Sequence, residues 1–175
     1  MALPSIACVA FVAKNDHPLH ITVFPPFVES RLRFSFLINS SLDIFDLRTK
    51  DTFIDQDLGL LQAFDENLAV YGWLTNTGVK ILIIVNLAGG RLPPEPERRK
   101  ATRVTGINDS DLKPAFRALQ TAYIKLLQNP FYSPDSLGSK PQDSASKASI
   151  GITDQKFISE VKRVGESWSP GLSSI

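Results

Sequence analysis

Two apolar runs near the start of the chain predict a β-hairpin. The runs cover residues 5–14 and 19–24, and "NDHP" (15–18) separates them. Asn, Asp and Pro favour turns, and an apolar run on each side of a turn is typical of paired strands. No basic residue precedes the first run, so we interpret it as a buried strand rather than as a signal peptide.

Residues 57–86 predict three further strands. The breaks between them are "DEN" (65–67) and "NTG" (76–78), each short enough for a tight hairpin. The third strand, "VKILIIV" (79–85), is apolar at both odd and even positions, whereas a strand with one face in solvent alternates. Helices are therefore expected on both faces of the sheet.

Three segments have helical periodicity. They are 32–49, 109–128 and 153–164. In the first, apolar residues recur three and four positions apart, which predicts an amphipathic helix. Its inward residues are Phe34, Leu37, Ile38, Leu42 and Phe45. We expect Pro114 in the first turn of the second helix, where its missing N–H loses no bond, and Thr153 as the cap of the third.

The order of these elements indicates the fold class. Strand, strand, helix, three strands and two helices, with both sheet faces covered, predict an α/β (α+β) domain with three layers, α/β/α. The five-stranded sheet should be mainly antiparallel, with one helix on one face and two on the other. At 175 residues, the chain (1–175) is expected to form one domain. It should carry a flexible basic loop at 88–108 and a disordered Ser/Pro-rich insertion at 133–149.

Charge and cysteine content exclude several function classes. Lys and Arg total 19 and Asp and Glu total 18, so no overall charge draws the chain to nucleic acid or to an anionic membrane. The basic run at 98–103 is diluted by Glu95 and Glu97. No apolar run approaches the roughly 20 residues that span a bilayer, so no direct membrane insertion is expected. The single cysteine, Cys8, cannot form an intrachain disulfide and fits a reducing compartment.

No motif predicts a catalytic, cofactor or metal site. His17 and His20 flank a turn without ligand partners at fixed spacing, so we interpret both as solvated. Asp43 and Asp46 are three apart on the first helix and are expected to be solvated charges rather than an acid/base pair. A small enzyme whose site is assembled from residues far apart in sequence remains an alternative.

The stretch "NPFY" (129–132) has the form of a short sorting signal. It directly follows the second helix, and Pro130 disfavours helical geometry at Asn129. We predict that it ends the helix and that Phe131 and Tyr132 fold back as apolar anchors.

The outer face of the first helix is the candidate partner-binding surface. At 100° per residue, Leu32, Phe36 and Leu47 fall opposite the inward residues, with Asp43 among them and Ser40 adjacent. A patch of this kind predicts a partner that covers the apolar side chains while Asp43 orients it. The alternatives are a scatter of exposed apolar residues, or cover by a loop or by the C-terminal tail.

Several stretches together resemble the sedlin-like small subunits of the TRAPP vesicle-tethering complex. They are "AFVAKNDHPLHI", "RFSFLINSSLDIFDL", "LGLLQAFDENLAVYGWLTNTGVKILIIV" and "LQNPFY", and the resemblance covers 5–87 and 109–132. The regions 88–108 and 133–149 look longer than the family's usual connections. "SSLD" matches a stretch linked to partner binding in the family, with Asp43 as the matching acid.

This resemblance implies a longin fold and a non-catalytic adaptor role, without a cofactor. The implied complex tethers transport vesicles and activates Rab-type GTPases. The partners would be other subunits of that complex, with the GTPases met indirectly, in the cytoplasm and peripheral to Golgi and ER–Golgi membranes. A longin domain of another trafficking machine is an alternative, such as a clathrin-adaptor small chain or a SNARE regulatory domain. The SNARE version would need a heptad coiled coil that residues 133–175 do not supply.

Overall fold

The structure, a computed structural model, describes residues 3–51, 56–65, 67–88, 107, 109–132 and 151–171. Its elements follow the predicted order: β1 (Ser5–Val12), β2 (Pro18–Val23), α1 (Arg31–Asp51), β3 (Asp57–Asp65), β4 (Leu68–Leu74), β5 (Lys80–Asn86), α2 (Asp109–Leu127) and α3 (Gln155–Ser167). A single 3₁₀ turn, Val28–Ser30, leads into α1. The loop at 88–108 and the insertion at 133–149 lie outside the described residues, apart from Ala88 and Ile107.

The strands form one sheet in the order β2-β1-β5-β4-β3, and every neighbouring pair is antiparallel. Two of the three predicted hairpin turns contain a residue with positive φ, a conformation that tight hairpin turns favour. In the β1–β2 turn this residue is Asp16 (φ 65°), and in the β4–β5 turn it is Gly78 (φ 81°). The N-terminal hairpin joins the β3–β4–β5 meander through β1, which pairs with β5.

The sheet separates two apolar clusters, and β5 supplies both. Ile81 and Ile83 pack on one side with residues of α2 and α3, whereas Leu82 and Ile84 pack on the other side with residues of α1. All these side chains are buried, so the prediction from the apolar run at 79–85 is confirmed. The result is the expected longin-like α/β/α domain, with α1 alone on its face of the sheet.

Two details of the helices differ from expectation. Pro114 is the sixth residue of α2, not a first-turn residue, so the carbonyl of Ser110 lacks the N–H that it would otherwise accept from. The cap of α3 is Asp154 rather than Thr153, and its Oδ1 accepts a hydrogen bond from the Phe157 N–H at 2.9 Å. None of these three helices has an apolar stretch long enough to cross a bilayer.

Candidate functional site

The inner face of α1 is buried as the periodicity predicts. All five predicted inward residues are buried against the sheet: Phe34, Leu37, Ile38, Leu42 and Phe45. Ser41 is also buried on this side, and its hydroxyl donates to the carbonyl of Leu37 at 2.8 Å, so no polar atom of its side chain is left unpaired. This packing fixes the rotation of α1 about its axis and therefore decides which residues face outward.

The outward face of α1 carries large apolar side chains in solvent. Leu32 is 88% exposed, Phe36 70% and Leu47 63%. Val28, in the 3₁₀ turn before the helix, is 57% exposed, and it lies four residues before Leu32. No part of the chain that the structure describes covers these side chains. We call Val28, Leu32, Phe36, Asp43 and Leu47 the outer stripe of α1.

Asp43 lies in the middle of the outer stripe. At 100° per residue its direction is almost opposite the centre of the buried face. It is exposed, and within the described residues its carboxylate makes no hydrogen bond or ion pair. Ser40 lies at the edge of the stripe, half-buried, and its hydroxyl donates to the carbonyl of Leu37 at 2.9 Å. Asp43 is therefore the anionic group that this face offers, while the Ser40 proton is already engaged.

A buried lysine lies beneath the C-terminal half of α1. The side chain of Lys80 in β5 is 7% exposed, and its Nζ lies 2.6 Å from Oδ1 of both Asp16 and Asp46. It also lies 5.5 Å from the centre of the Phe45 ring. Burial alone would lower the pKa of Lys80, but hydrogen bonds to Asp16 and Asp46 outweigh that effect, and the pKa is raised. Lys80 therefore remains charged.

The expectation that Asp46 is a simple solvated charge is wrong. Through Lys80 it connects α1 to β5 and, through Asp16, to the β1–β2 turn. The sequence signal for this cluster is a single lysine inside the otherwise apolar run at 79–85. These ion pairs hold the turn of α1 that carries Asp43 and Leu47 against the sheet.

The two histidines lie in different surroundings. His17 is exposed in the hairpin turn. His20 is half-buried in β2, contrary to the expected solvated position: its Nε2 lies 2.6 Å from Thr22 Oγ1, and its ring meets that of Phe157 edge-on. Burial, followed by the positive charges of nearby basic residues, lowers the pKa of His20. The described residues contain no cluster of three potential metal ligands among His, Cys, Asp and Glu.

The "NPFY" stretch forms a turn after α2. The N–H of Phe131 donates to Asn129 Oδ1 at 3.1 Å, and the N–H of Tyr132 donates to the Asn129 carbonyl at 3.0 Å. Tyr132 packs against the apolar cluster as predicted. Phe131 does not, since it is 94% exposed. The prediction of two anchors is therefore right for Tyr132 and wrong for Phe131.

A groove of about 690 Å³ lies between α2 and α3. Its lining includes Leu126 and Phe157. The acids among the lining residues, Asp154 and Glu160, both have hydrogen-bond partners. Asp154 caps α3, and Glu160 accepts two hydrogen bonds from Arg163, which lower the pKa of Glu160. The carboxylates of both acids are therefore already engaged, one by the N-terminus of α3 and the other by a guanidinium.

Comparison with known proteins gives one consistent result. The family model described as Sedlin matches residues 11–166. The trafficking protein particle complex subunit 2-like protein of Dictyostelium discoideum is 36% identical over 139 residues, which are 77% of this chain and 87% of that protein. The proteins of the same name from Mus musculus and Bos taurus are 31% and 32% identical over 144 and 133 residues. These matches cover 78% and 73% of this chain, and 91% and 83% of those proteins.

Proposed function

Because the chain belongs to the Sedlin family, we propose that it is a non-catalytic subunit of a TRAPP-type complex that tethers transport vesicles. In this role the chain binds other subunits of the complex and contributes to activation of Rab-type GTPases only through them. Its place of action is the cytoplasm, peripheral to Golgi and ER–Golgi membranes. The match to the Sedlin model favours this role over that of a clathrin-adaptor small chain.

The observation that carries this proposal is the exposed outer stripe of α1. Covering a fully exposed Leu or Phe side chain contributes about 1.5–3 kcal/mol. Leu32, Phe36 and Leu47 therefore offer several kcal/mol to a partner, before the costs of association are subtracted. Asp43, in the middle of them, adds a requirement for a positively charged or hydrogen-bond-donating group on the partner.

The arrangement of these residues suits binding better than catalysis. α1 is convex and lies alone on its side of the sheet, so the outer stripe forms a ridge and not a pocket. Interfaces between proteins combine an apolar centre with polar groups that fix orientation, and the stripe has both. Partner binding through Asp43, Phe36, Leu32 and Leu47 is therefore the function that this geometry supports best, with Ser40 at its edge.

The test is co-purification of the native complex with tagged variants of the chain. Asp43→Ala removes a surface charge and no core volume, so its circular dichroism and melting temperature should match those of the wild type. Recovery of partner subunits should fall, because the binding free energy should weaken by about 2 kcal/mol or more if the charge is desolvated in the complex. Phe36→Ser should also weaken recovery, because it removes apolar area from the same face.

Two matched variants serve as controls. Glu166→Ala removes an exposed acid from α3, and Phe131→Ser removes an exposed phenylalanine after α2. Glu166 lies in α3 and Phe131 in the turn after α2, and both helices pack on the opposite face of the sheet from α1. Both variants should therefore recover partners normally. Normal recovery with Asp43→Ala and Phe36→Ser would refute the proposed surface. Loss of the native spectrum with Asp43→Ala would show that the residue is structural.

A further inference from the structure

The outer stripe of α1 has the dimensions of a helix-packing surface. Val28, Leu32 and Phe36 are spaced four residues apart, which is the spacing of the ridges that interdigitate when two helices pack. From Val28 to Leu47 the stripe extends for about 28 Å at 1.5 Å per residue, close to the length of an ordinary helix of about five turns. Its width is that of one helix.

The backbone of α1 has no free N–H or carbonyl group on this face with which a partner could form hydrogen bonds. In the interior of a helix the N–H and carbonyl groups bond within the helix itself, so an extended segment lying on α1 would find no ladder partners. Such a segment would bury its own polar backbone against Leu32 and Phe36 without compensation. A helix brings a satisfied backbone and presents side chains alone, which is what this face can accept.

Charge narrows the choice of partner. Between residues 32 and 47 the outward face carries no cation that could pair with Asp43, and the exposed Lys50 lies about 10 Å further along the helix axis. The nearby Arg33 lies at the side of α1, where it pairs with Asp65 at 2.5 Å, and Asp46 is paired with Lys80. A partner that covers the outer stripe must therefore supply a cation for Asp43, or the carboxylate is desolvated unpaired.

A second copy of this chain cannot supply that cation through the same face and also cover the apolar residues of the outer stripe. If two copies of α1 pack antiparallel with Leu32 opposite Leu47, Asp43 lies against Phe36. If they pack parallel and in register, Asp43 lies against Asp43. Both arrangements bury carboxylates without a cation, which is unfavourable. If the exposed Lys50 of an antiparallel copy lies opposite Asp43, Leu32 and Phe36 lie beyond the end of the second α1 and stay uncovered. If the copies are parallel and shifted by seven residues to make the same pair, the second Asp43 lies against Phe36 without a cation.

We propose that one amphipathic helix of a different protein docks lengthwise along α1 and presents an Arg or Lys side chain to Asp43. This proposal rests on the proposed function, since it specifies what binds the same surface. Apolar residues of the partner helix pack between Leu32, Phe36 and Leu47, on both sides of the charged contact.

Site-specific cross-linking in the full complex tests the geometry. Phe36 and Leu47 are replaced, one at a time, by p-benzoylphenylalanine, and the cross-linked residues of the partner are mapped by mass spectrometry. The two positions are about 16 Å apart along α1. On a helix that runs along α1, the two cross-linked residues should therefore be about eleven residues apart, whereas on an extended segment they should be about five apart.

Charge reversal tests the contact at Asp43. Asp43→Arg should reduce recovery of the partner at least tenfold, while Glu166→Arg on α3 should leave recovery unchanged. Changing the Arg or Lys that lies between the two cross-linked residues of the partner to Glu should restore binding to Asp43→Arg. Failure of every such cation to restore binding would overturn the assigned ion pair.

The remaining outcomes separate the two proposals. Cross-links about five residues apart would overturn the helix while leaving the partner surface in place. Cross-links to a second copy of this chain would also overturn the inference, as would cross-links to lipid alone. As a background measurement, p-benzoylphenylalanine is also placed at Phe131. If the probes at Phe36 and Leu47 give no more cross-linked partner than the probe at Phe131, both the docked helix and the proposed function are refuted.

Discussion

Replacing Lys80 by Met should destabilise the domain although the new side chain is apolar and of similar length. The change removes the cation that Asp16 and Asp46 share and leaves the two carboxylates facing each other. Replacing every member of a buried ion cluster by apolar groups can leave the stability unchanged. Removing only the cation is different, because the negative charges of the two aspartates are then uncompensated. The expected direction is therefore a lower free energy of unfolding.

The exposure of the two aspartates sets the size of the effect. Removing one partner of a fully buried ion pair costs about 3–5 kcal/mol. Here Asp16 and Asp46 are each 48% exposed, so water can solvate part of the charge that Lys80 no longer neutralises. We expect a loss of about 2 kcal/mol after this discount. For a chain of this length that corresponds to a fall of about 4–8 °C in melting temperature.

Urea unfolding at pH 7, followed by circular dichroism, measures this loss. The variants are Lys80→Met, Asp46→Asn and the double substitution, so that the cycle isolates the coupling between the two side chains. Lys156→Met is the matched control, because the Lys156 side chain is exposed and makes no hydrogen bond or ion pair among the described residues. It should change stability by less than about 0.5 kcal/mol. A Lys80→Met variant as stable as the wild type, or a coupling near zero, would refute the reasoning.

The dependence on pH gives an independent check. Since the folded-state pKa of Lys80 is raised, its stabilising contribution is fully present below the ordinary lysine value of 10.5. It is lost as pH rises from that value through the higher folded pKa. The stability difference between wild type and Lys80→Met should therefore be constant near neutral pH and shrink only above about pH 10.5. A difference that shrinks between pH 7 and 9 would contradict this assignment.

Three other substitutions or treatments test the packing. Gly165→Ala should destabilise by about 1–3 kcal/mol, because an added Cβ would lie 2.6 Å from both Cε atoms of the buried Phe24 ring, although Gly→Ala in a helix usually stabilises; a higher melting temperature would contradict this. Asp154→Ala should cost about 1 kcal/mol by removing the cap hydrogen bond to Phe157, measured by urea unfolding, and an unchanged midpoint would count against the cap. Burial raises the pKa of Cys8 to about 12, so at pH 8 a thiol reagent should label it only after unfolding, and rapid labelling of the folded chain would show that the site is open.

Local patterns predicted the elements and their layers because those patterns repeat many times along the chain. Five residues at helical spacing fixed the buried face of α1, and the two-sided apolar run at 79–85 showed that helices cover both faces of the sheet. The outward positions of Leu32, Phe36 and Leu47 followed from the same geometry. The structure confirms that they are exposed, while their role in binding stays a prediction.

The features that sequence reasoning missed depend on contacts between distant residues or on single positions. Lys80 lies 64 residues from Asp16 and 34 from Asp46, so their meeting requires the strand order, in which β5 lies beside β1. The choice between Thr153 and Asp154 as the cap of α3 depends on a one-residue shift, which periodicity does not resolve. The exposure of Phe131 depends on a turn, and composition alone does not give its direction.

If a partner binds the outer stripe as proposed, the stability of this chain depends on the supply of that partner. A partner that binds only the folded chain raises the free energy of unfolding by RT ln(1 + [L]/Kd), about 2.7 kcal/mol when its free concentration is a hundred times Kd. Copies of the chain produced in excess of that partner lack this contribution and unfold more often. A weakened outer stripe, as in Phe36→Ser, and a weakened interior, as in Lys80→Met, would then both lower the amount of folded chain in a cell.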